Sequence, residues 1–282
     1  MNRKTFLASS GLLVLTSCLP KNILTQSKKN LGLQLYTIRH LLEKNVEESL
    51  YQVSKLGFQN IEIYGYNGKL FGKTVTEFAD ILKKQNLYVL SSHHSLSDFK
   101  NVEFFEKACQ NLQSLGCQYM ILAYLQQEER TEKSYLKLPK ILEKAAEIAQ
   151  KYGIQVGYHN HDFEFQDHVE NQLAYDYLLN KTSKNIVFEM DLFWMYQAGK
   201  NPIAYFRKYP KRFPLWHVKD RDSQDHSFSE IGNGTIPFQT IFKNRDLAGL
   251  KHWFFEQDES KKPILESLKE SVDYVNQHSY FK

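Results

Sequence analysis

Several features are scarce in this sequence, and each scarcity excludes something. Three cysteines in 282 residues leave little material for a disulfide framework or a thiolate-ligated structural zinc. No glycine-rich G-x-G-x-x-G loop follows the first candidate strand, so a dinucleotide-binding sheet is disfavoured. Neither sign of charge prevails: 36 basic side chains stand against 32 acidic ones, for a net charge of +4. No basic cluster would track a phosphate backbone, so nucleic acid is not an expected partner. What remains is a chain 42% hydrophobic and 14% aromatic, enough to bury one large core.

The first 18 residues, MNRKTFLASSGLLVLTSC, have the layout of an export signal: Arg3 and Lys4, an apolar run from Leu7 to Leu15, then small polar residues. That run is too short to span a bilayer. Leu15-Thr16-Ser17-Cys18 resembles a bacterial lipobox, in which the chain is cut before Cys18 and that Cys is lipidated; the alternative is a buried thiol beside an ordinary cleavage site. Arg3 to Leu7 also faintly resembles a twin-arginine signal. Residues 19–30, rich in Lys, Ser and Asn, then read as a tether between lipid and domain, which makes the chain an exported lipoprotein touching a membrane only through its anchor. Cys109 and Cys117, eight positions apart beside apolar neighbours, are expected as buried free thiols, with a bridge between them as the alternative.

From Leu31 onward the chain alternates between strand-like and helix-like segments at a period of roughly 25 to 35 residues, as βα units require. LGLQLYTIR, NIEIYGYNG, LYVLSSHHS, CQYMILAYL, IQVGYHNHDFEF, NIVFEMDLFW, PLWHVKDRD and HWFFEQDES supply eight strands. Helices are predicted over 46–57, over 75–86 with Thr74 or Thr76 as cap, and over 102–115. Further helices are predicted over 135–152, near 173–179, over 202–208 and over 265–278. Eight strands with interleaved helices predict a single (β/α)8 barrel over residues 31–282, a common length for that fold.

The polar residues collect at the C-terminal ends of the strands, where such a barrel assembles an active site. His159 and His161 share one side of strand five, with Asn160 pointing away. Glu189 and Asp191 share a face on strand six, His217 and Lys219 on strand seven, and Glu256 ends strand eight. Any one of these alone reads more readily as a barrel-lining polar residue satisfied by its neighbours, but four successive tips bearing carboxylate or imidazole point to a divalent ion such as manganese, cobalt or zinc. Tyr36, Tyr64, Tyr66, Tyr124, Phe193 and Trp194 lie near strand ends, where a ring could stack on the carbon face of a sugar. Gly232 and Gly234 mark a loop after strand seven that either covers the pocket or makes a turn.

The order GLQLYT, IEIYG, SSHHS, YHNHDFEF, EMDLFW, WHVKDRD and FFEQD resembles the xylose isomerase-like superfamily of sugar isomerases and epimerases over nearly the whole chain from Leu31. The resemblance implies one divalent ion held from strands five to eight, here by His159, Asp191, His217 and Glu256, and it implies association into homo-oligomers in many relatives. His159 stands where many relatives carry a ligand glutamate. Two opposed carboxylates drive epimerisation in the family, so this replacement weakens that mechanism and brings forward proton abstraction with loss of a leaving group.

The candidate base is His159 or His161, with Glu256 as the alternative. Lys219 and His93 are candidates for holding substrate hydroxyls or an oxyanion, with Glu62 orienting one of them. Gln34, Tyr36 and Tyr124 complete the substrate-contact set. Lys219 reads equally as an ion pair with Asp191 or Asp222. Three functions follow: a metal-dependent isomerase or epimerase of an unphosphorylated sugar, a lyase acting on a 3-keto-glycoside or keto-inositol as in inosose-dehydratase-like relatives, or a carbohydrate-binding lipoprotein without turnover. An exported protein rarely meets sugar phosphates, which disfavours a phosphorylated substrate.

Overall fold

The computed structural model describes residues 31–281; the export signal, Cys18 and the tether expected above lie outside the described residues. Eight parallel strands close into a barrel: β1 (Leu31–Gln34), β2 (Phe58–Tyr64), β3 (Tyr88–Ser95), β4 (Tyr119–Tyr124), β5 (Gln155–His159), β6 (Val187–Asp191), β7 (Leu215–Val218) and β8 (His252–Phe255). Each pairs with its sequence neighbours, and β8 returns to β1 with Gly32 opposite Phe254. The crossovers carry α1 (Val46–Lys55), α2 (Val75–Gln85), α3 (Val102–Gln113), α4 (Leu138–Ala149), α5 (Ala174–Lys181), α6 (Pro202–Lys208), α7 (Phe238–Lys243) and α8 (Ile264–Gln277).

Local chemistry explains where these elements start. Asn45 caps α1 by accepting the Glu48 N–H, and Val46, Leu50 and Val53 of α1 are buried. Thr74, of the two threonines considered, caps α2 in a reciprocal capping box with Glu77, a device worth about 0.5–2 kcal/mol. The predicted helix over 135–152 is split: a single turn ends at Tyr135, and α4 opens with Pro139 in its first turn. The pattern assigned no helix between strands seven and eight, because α7 has only six residues, too few to display a period.

Several strands are shorter than predicted, because polar side chains turn the chain as soon as it reaches the barrel rim. β1 stops at Gln34, whose Oε1 accepts the Tyr36 N–H at 3.0 Å and starts a 3-10 turn. β6 stops at Asp191, whose Oδ1 accepts the Trp194 N–H at 3.0 Å and caps a short helix. Leu90, Tyr119, Ile121, Val187, Leu215 and Phe254 fill the barrel interior, while a larger apolar layer packs strands against helices. Strand approach is close at Gly157, where a Cβ would meet Ile121 Cδ1 at 2.6 Å.

Cys109 and Cys117 are both free and buried, and burial pushes both thiols up to about 12. The Gly232 and Gly234 segment of the loop after β7 is a turn and not a cover. Its Gly232, Gly234 and Ile236 N–H groups donate to the Asp220 carboxylate at 2.8, 3.1 and 3.1 Å, and none of these residues lines the cleft described below. Gly234 is needed for that wrap, since a Cβ there would lie 2.3 Å from Asp220 Oδ1.

Candidate metal centre and cleft

His159, Asp191, His217 and Glu256 bring one donor atom each within 4.8 Å of one another, all buried, at the tips of β5 to β8. His159 Nδ1 lies 3.2 Å from the Ala123 carbonyl. A hydrogen bond there places the proton on Nδ1 and leaves the Nε2 lone pair facing Asp191 Oδ2, 3.4 Å away. Both His159 Nε2 and Asp191 Oδ2 are buried without a directed hydrogen bond among the described residues. His217 Nδ1 lies 2.6 Å from Glu256 Oε2, and its Nε2 lies 2.6 Å from Glu62 Oε2. A set of two carboxylates and two imidazoles, with unused lone pairs on His159 Nε2 and Asp191 Oδ2 and one oriented tautomer, fits a divalent transition ion. Asn160 points away from this centre and ties the tips together, accepting the Asp191 N–H at 3.1 Å.

Lys219, one residue past the end of β7, is buried in a carboxylate cage. Its Nζ lies 3.0 Å from Asp191 Oδ2, 2.6 Å from Glu256 Oε2 and 3.1 Å from Asp258 Oδ2. Asp191 is therefore its partner; Asp222, the other candidate, pairs with Lys261 at 3.2 Å. Burial disfavours the Lys219 charge, but Asp191, Asp258 and Glu256 outweigh it and hold the ammonium well above its usual range. Burial likewise opposes ionisation of Glu256, yet Lys219 and His217 hold it well below the usual carboxylate range. Burial raises Asp258 to about 6.

Beneath this centre lies a second polar layer. Gln34 and Glu62 do not line the cleft; both are fully buried, and Gln34 Nε2 donates to Glu62 Oε2 at 2.8 Å. Glu62 sits within 3.2 Å of His93 as well as against His217. Glu189, noted on the same face as Asp191 but given no role from the sequence, lies 2.7 Å from His93 Nε2.

Above the centre opens a cleft of about 870 Å³, lined among others by Tyr36, Tyr64, Tyr66, His93, Tyr124, His159, His161, Trp194, Lys219, Glu256 and Asp258. Phe193 is buried and does not line it. His161 stacks on Phe163 at 5.5 Å with its ring 4.9 Å from His159. Burial, then the neighbouring His159 and Lys219, hold its pKa well below the usual imidazole range, so it is neutral at neutral pH.

Two further residues escaped the sequence reading. Arg130 covers the Phe163 ring at 3.8 Å and hydrogen-bonds Tyr124 Oη, but a lone Arg in a loop carries no local signal. Glu164 lies within the strand-five motif, given no role from the sequence, and is fully buried. It accepts the His161 N–H at 2.8 Å and the Tyr158 O–H at 2.7 Å, and so positions the His161 backbone.

This geometry has known counterparts. A family model described as xylose isomerase-like TIM barrel matches residues 50–278. Inosose dehydratase of Clostridium beijerinckii is 22% identical over 85% of this chain and 91% of its own length. A crystal structure of a sugar phosphate isomerase/epimerase from Parabacteroides distasonis is 26% identical, with a TM-score of 0.81 over 92% of this chain and 97% of that one. An IolI protein crystallised with a bound zinc atom shares the fold, with a TM-score of 0.68 at 17% identity over 90% of this chain and 99% of that one. Barrel closure, the rim-centred donors and the family match agree: the chain belongs to the xylose isomerase-like TIM barrel family.

Proposed function

We propose that the protein is a divalent-metal-dependent lyase that removes the proton beside a carbonyl in an unphosphorylated keto-sugar, keto-glycoside or keto-cyclitol and expels a leaving group from the next carbon. The observation that carries this reading is geometric: His161 faces the cleft as a neutral imidazole, while the Glu256 and Asp258 carboxylates of the same cleft are both tied to Lys219. Glu256, the carboxylate that would serve an opposed-base epimerisation, has its Oε2 occupied by His217 Nδ1 and Lys219 Nζ, each at 2.6 Å, and is not free to take a substrate proton. His159 occupies the remaining tip, with its free nitrogen toward Asp191.

Bound at His159, Asp191, His217 and Glu256, a zinc, manganese or cobalt ion would supply a Lewis acid that polarises the substrate carbonyl. Lys219 adds a fixed positive charge beside the developing oxyanion. His161 takes the carbon-bound proton, and the imidazolium so formed returns it to the departing oxygen on the same face. One residue then serves both half-steps, and no external acid is required. Tyr36, Tyr64, Tyr124 and Trp194 give the ring apolar walls.

The charge of the cleft supports an unphosphorylated substrate. Its lining cations are Lys219, already held by three carboxylates, and Arg130. The relative named as an inosose dehydratase agrees with water loss, and the one named as an isomerase/epimerase keeps epimerisation as the second reading. Export and a lipid on Cys18 belong to the same proposal; incorporation of a labelled fatty acid, lost in Cys18→Ala, tests them.

The test of the reaction uses the metal-reconstituted protein in deuterium oxide with 3-keto-glycosides, inososes and free ketoses. Release of the leaving group with an unsaturated ketone product supports the lyase. Deuterated epimers without release establish the epimerase instead. Sugar binding with no exchange at all overturns both enzymatic readings and leaves a binding protein.

A further inference from the structure

The layer beneath the metal centre holds more donors than positioning His217 requires. Glu62, His93, Glu189 and His217 bring one donor atom each within 4.8 Å of one another. His93 Nε2 lies 2.7 Å from Glu189 Oε2 and 3.2 Å from Glu62 Oε2, while His217 Nε2 lies 2.6 Å from Glu62 Oε2 and 3.4 Å from Glu189 Oε1. A four-coordinate ion with bonds of about 2.1 Å sets its donors about 3.4 Å apart; the 3.2 and 3.4 Å pairs already have that spacing, and the two hydrogen-bonded pairs at 2.6 and 2.7 Å reach it by opening less than 1 Å once their protons leave. Glu62 Oε1 and Glu189 Oε1 are fully buried with no hydrogen-bond partner among the described residues. A carboxylate that served only to orient an imidazole would need neither the second carboxylate nor the second imidazole, and buried oxygens left unpaired are costly.

We propose that Glu62, His93, Glu189 and His217 form a second divalent-cation site, with His217 bridging it to the first. Nδ1 of His217 faces Glu256 and Asp191, and Nε2 faces Glu62 and Glu189. The two sites therefore occupy opposite edges of one imidazole ring. The four side chains come from β2, β3, β6 and β7, so the barrel itself holds the donors in place, and His93 reaches the cleft to give the ion an entry. An oxygen and imidazole set without thiolate takes zinc, cobalt or manganese. Binding replaces the proton on His93 Nε2 and that on His217 Nε2, so it is accompanied by proton release. The rival arrangement is a metal-free quartet in which two imidazolium rings balance two carboxylates.

Metal counting on the purified chain separates the two. The protein is stripped with chelator, dialysed against zinc or manganese and counted by elemental mass spectrometry, with circular dichroism following the fold. The second site requires two ions per wild-type chain and one in each of Glu189→Gln, Glu62→Gln and Asp191→Asn. His93→Gln, which keeps the volume, reads the same loss if a glutamate variant unfolds. Manganese-loaded wild type gives a spin-coupled resonance spectrum, and Glu189→Gln gives that of isolated ions. One ion in wild type, retained by Glu62→Gln and Glu189→Gln, overturns the second site and leaves the first intact. One ion kept in Asp191→Asn but lost in Glu189→Gln retains the second site and removes the first. No ion in wild type overturns both.

Discussion

Replacing Lys219 by methionine keeps the length of the side chain and deletes its charge. Three buried or nearly buried carboxylates, Asp191, Glu256 and Asp258, then lose a cation that sits within 3.1 Å of each. Removing one partner of a buried ion pair costs about 3–5 kcal/mol. At about 2–4 °C per kcal/mol for a domain of this size, the metal-free variant melts about 6–20 °C below wild type. Metal changes the outcome, because Lys219 and the ion compete for the same oxygens of Asp191 and Glu256. An ion supplies the missing positive charge, so zinc restores most of the lost melting temperature, and it binds the variant about tenfold more tightly or better, a gain of about 1.4 kcal/mol.

The pH window follows from the direction of each shift. Asp191 and Glu256 are opposed by burial but held low by Lys219, so their contribution is present above their unfolded values and lost as pH falls through the depressed folded values. Lys219 is held high by its carboxylates against burial, so its contribution is present below its unfolded value, 10.5, and lost as pH rises through the raised folded one. Asp258 is raised to about 6 by burial and kept from rising further by Lys219, so the difference between wild type and variant grows as pH rises through about 6 and shrinks in acid. Thermal melts in chelator and in zinc measure all of this. An equal loss with and without zinc, or a loss below about 2 °C in chelator, refutes the competition between lysine and ion.

Further outcomes are expected at neighbouring positions. His161→Gln lowers kcat by about 10²–10⁴ while the metal content stays at the wild-type value; a variant that also loses metal would make His161 a ligand. His159→Ala loses the ion of the first site, as elemental analysis reads directly, and retention there would remove His159 from the ligand set. Burial raises Glu164 from 4.5 to about 8, so its contribution to stability is present below 4.5 and lost as pH rises through about 8. Over that window wild type sheds roughly 5 kcal/mol relative to Glu164→Gln, and superimposable denaturant profiles of the two proteins would contradict the assignment. Gly234→Ala puts a Cβ 2.3 Å from Asp220 Oδ1 and destabilises by about 1–3 kcal/mol in urea unfolding without changing metal content.

The alternation of segments, and therefore the barrel, was legible because each βα unit repeats a local pattern of apolar spacing, caps and turns. Thr74 ahead of Glu77 announces a helix start within four residues, and the tips at His159, Asp191, His217 and Glu256 stand out as polar residues ending apolar runs. Strand ends were less legible. Gln34 and Asp191 look like strand residues by composition, and only their side-chain bonds to Tyr36 and Trp194 stop the strands there. The six-residue α7 has no period to read.

The sequence alone determined the fold class and the residue types gathered at the rim, because period and chemical type are local properties of the chain. Tertiary structure decided the partnerships: Lys219 with Asp191, Glu256 and Asp258, His217 between Glu62 and Glu256, and Glu189 with His93. It also decided which histidine turns a lone pair toward Asp191 and which stays neutral in the cleft. Those outcomes depend on distances between strands up to 155 residues apart in sequence and on burial that sets charge, and neither is encoded in any single stretch of the chain.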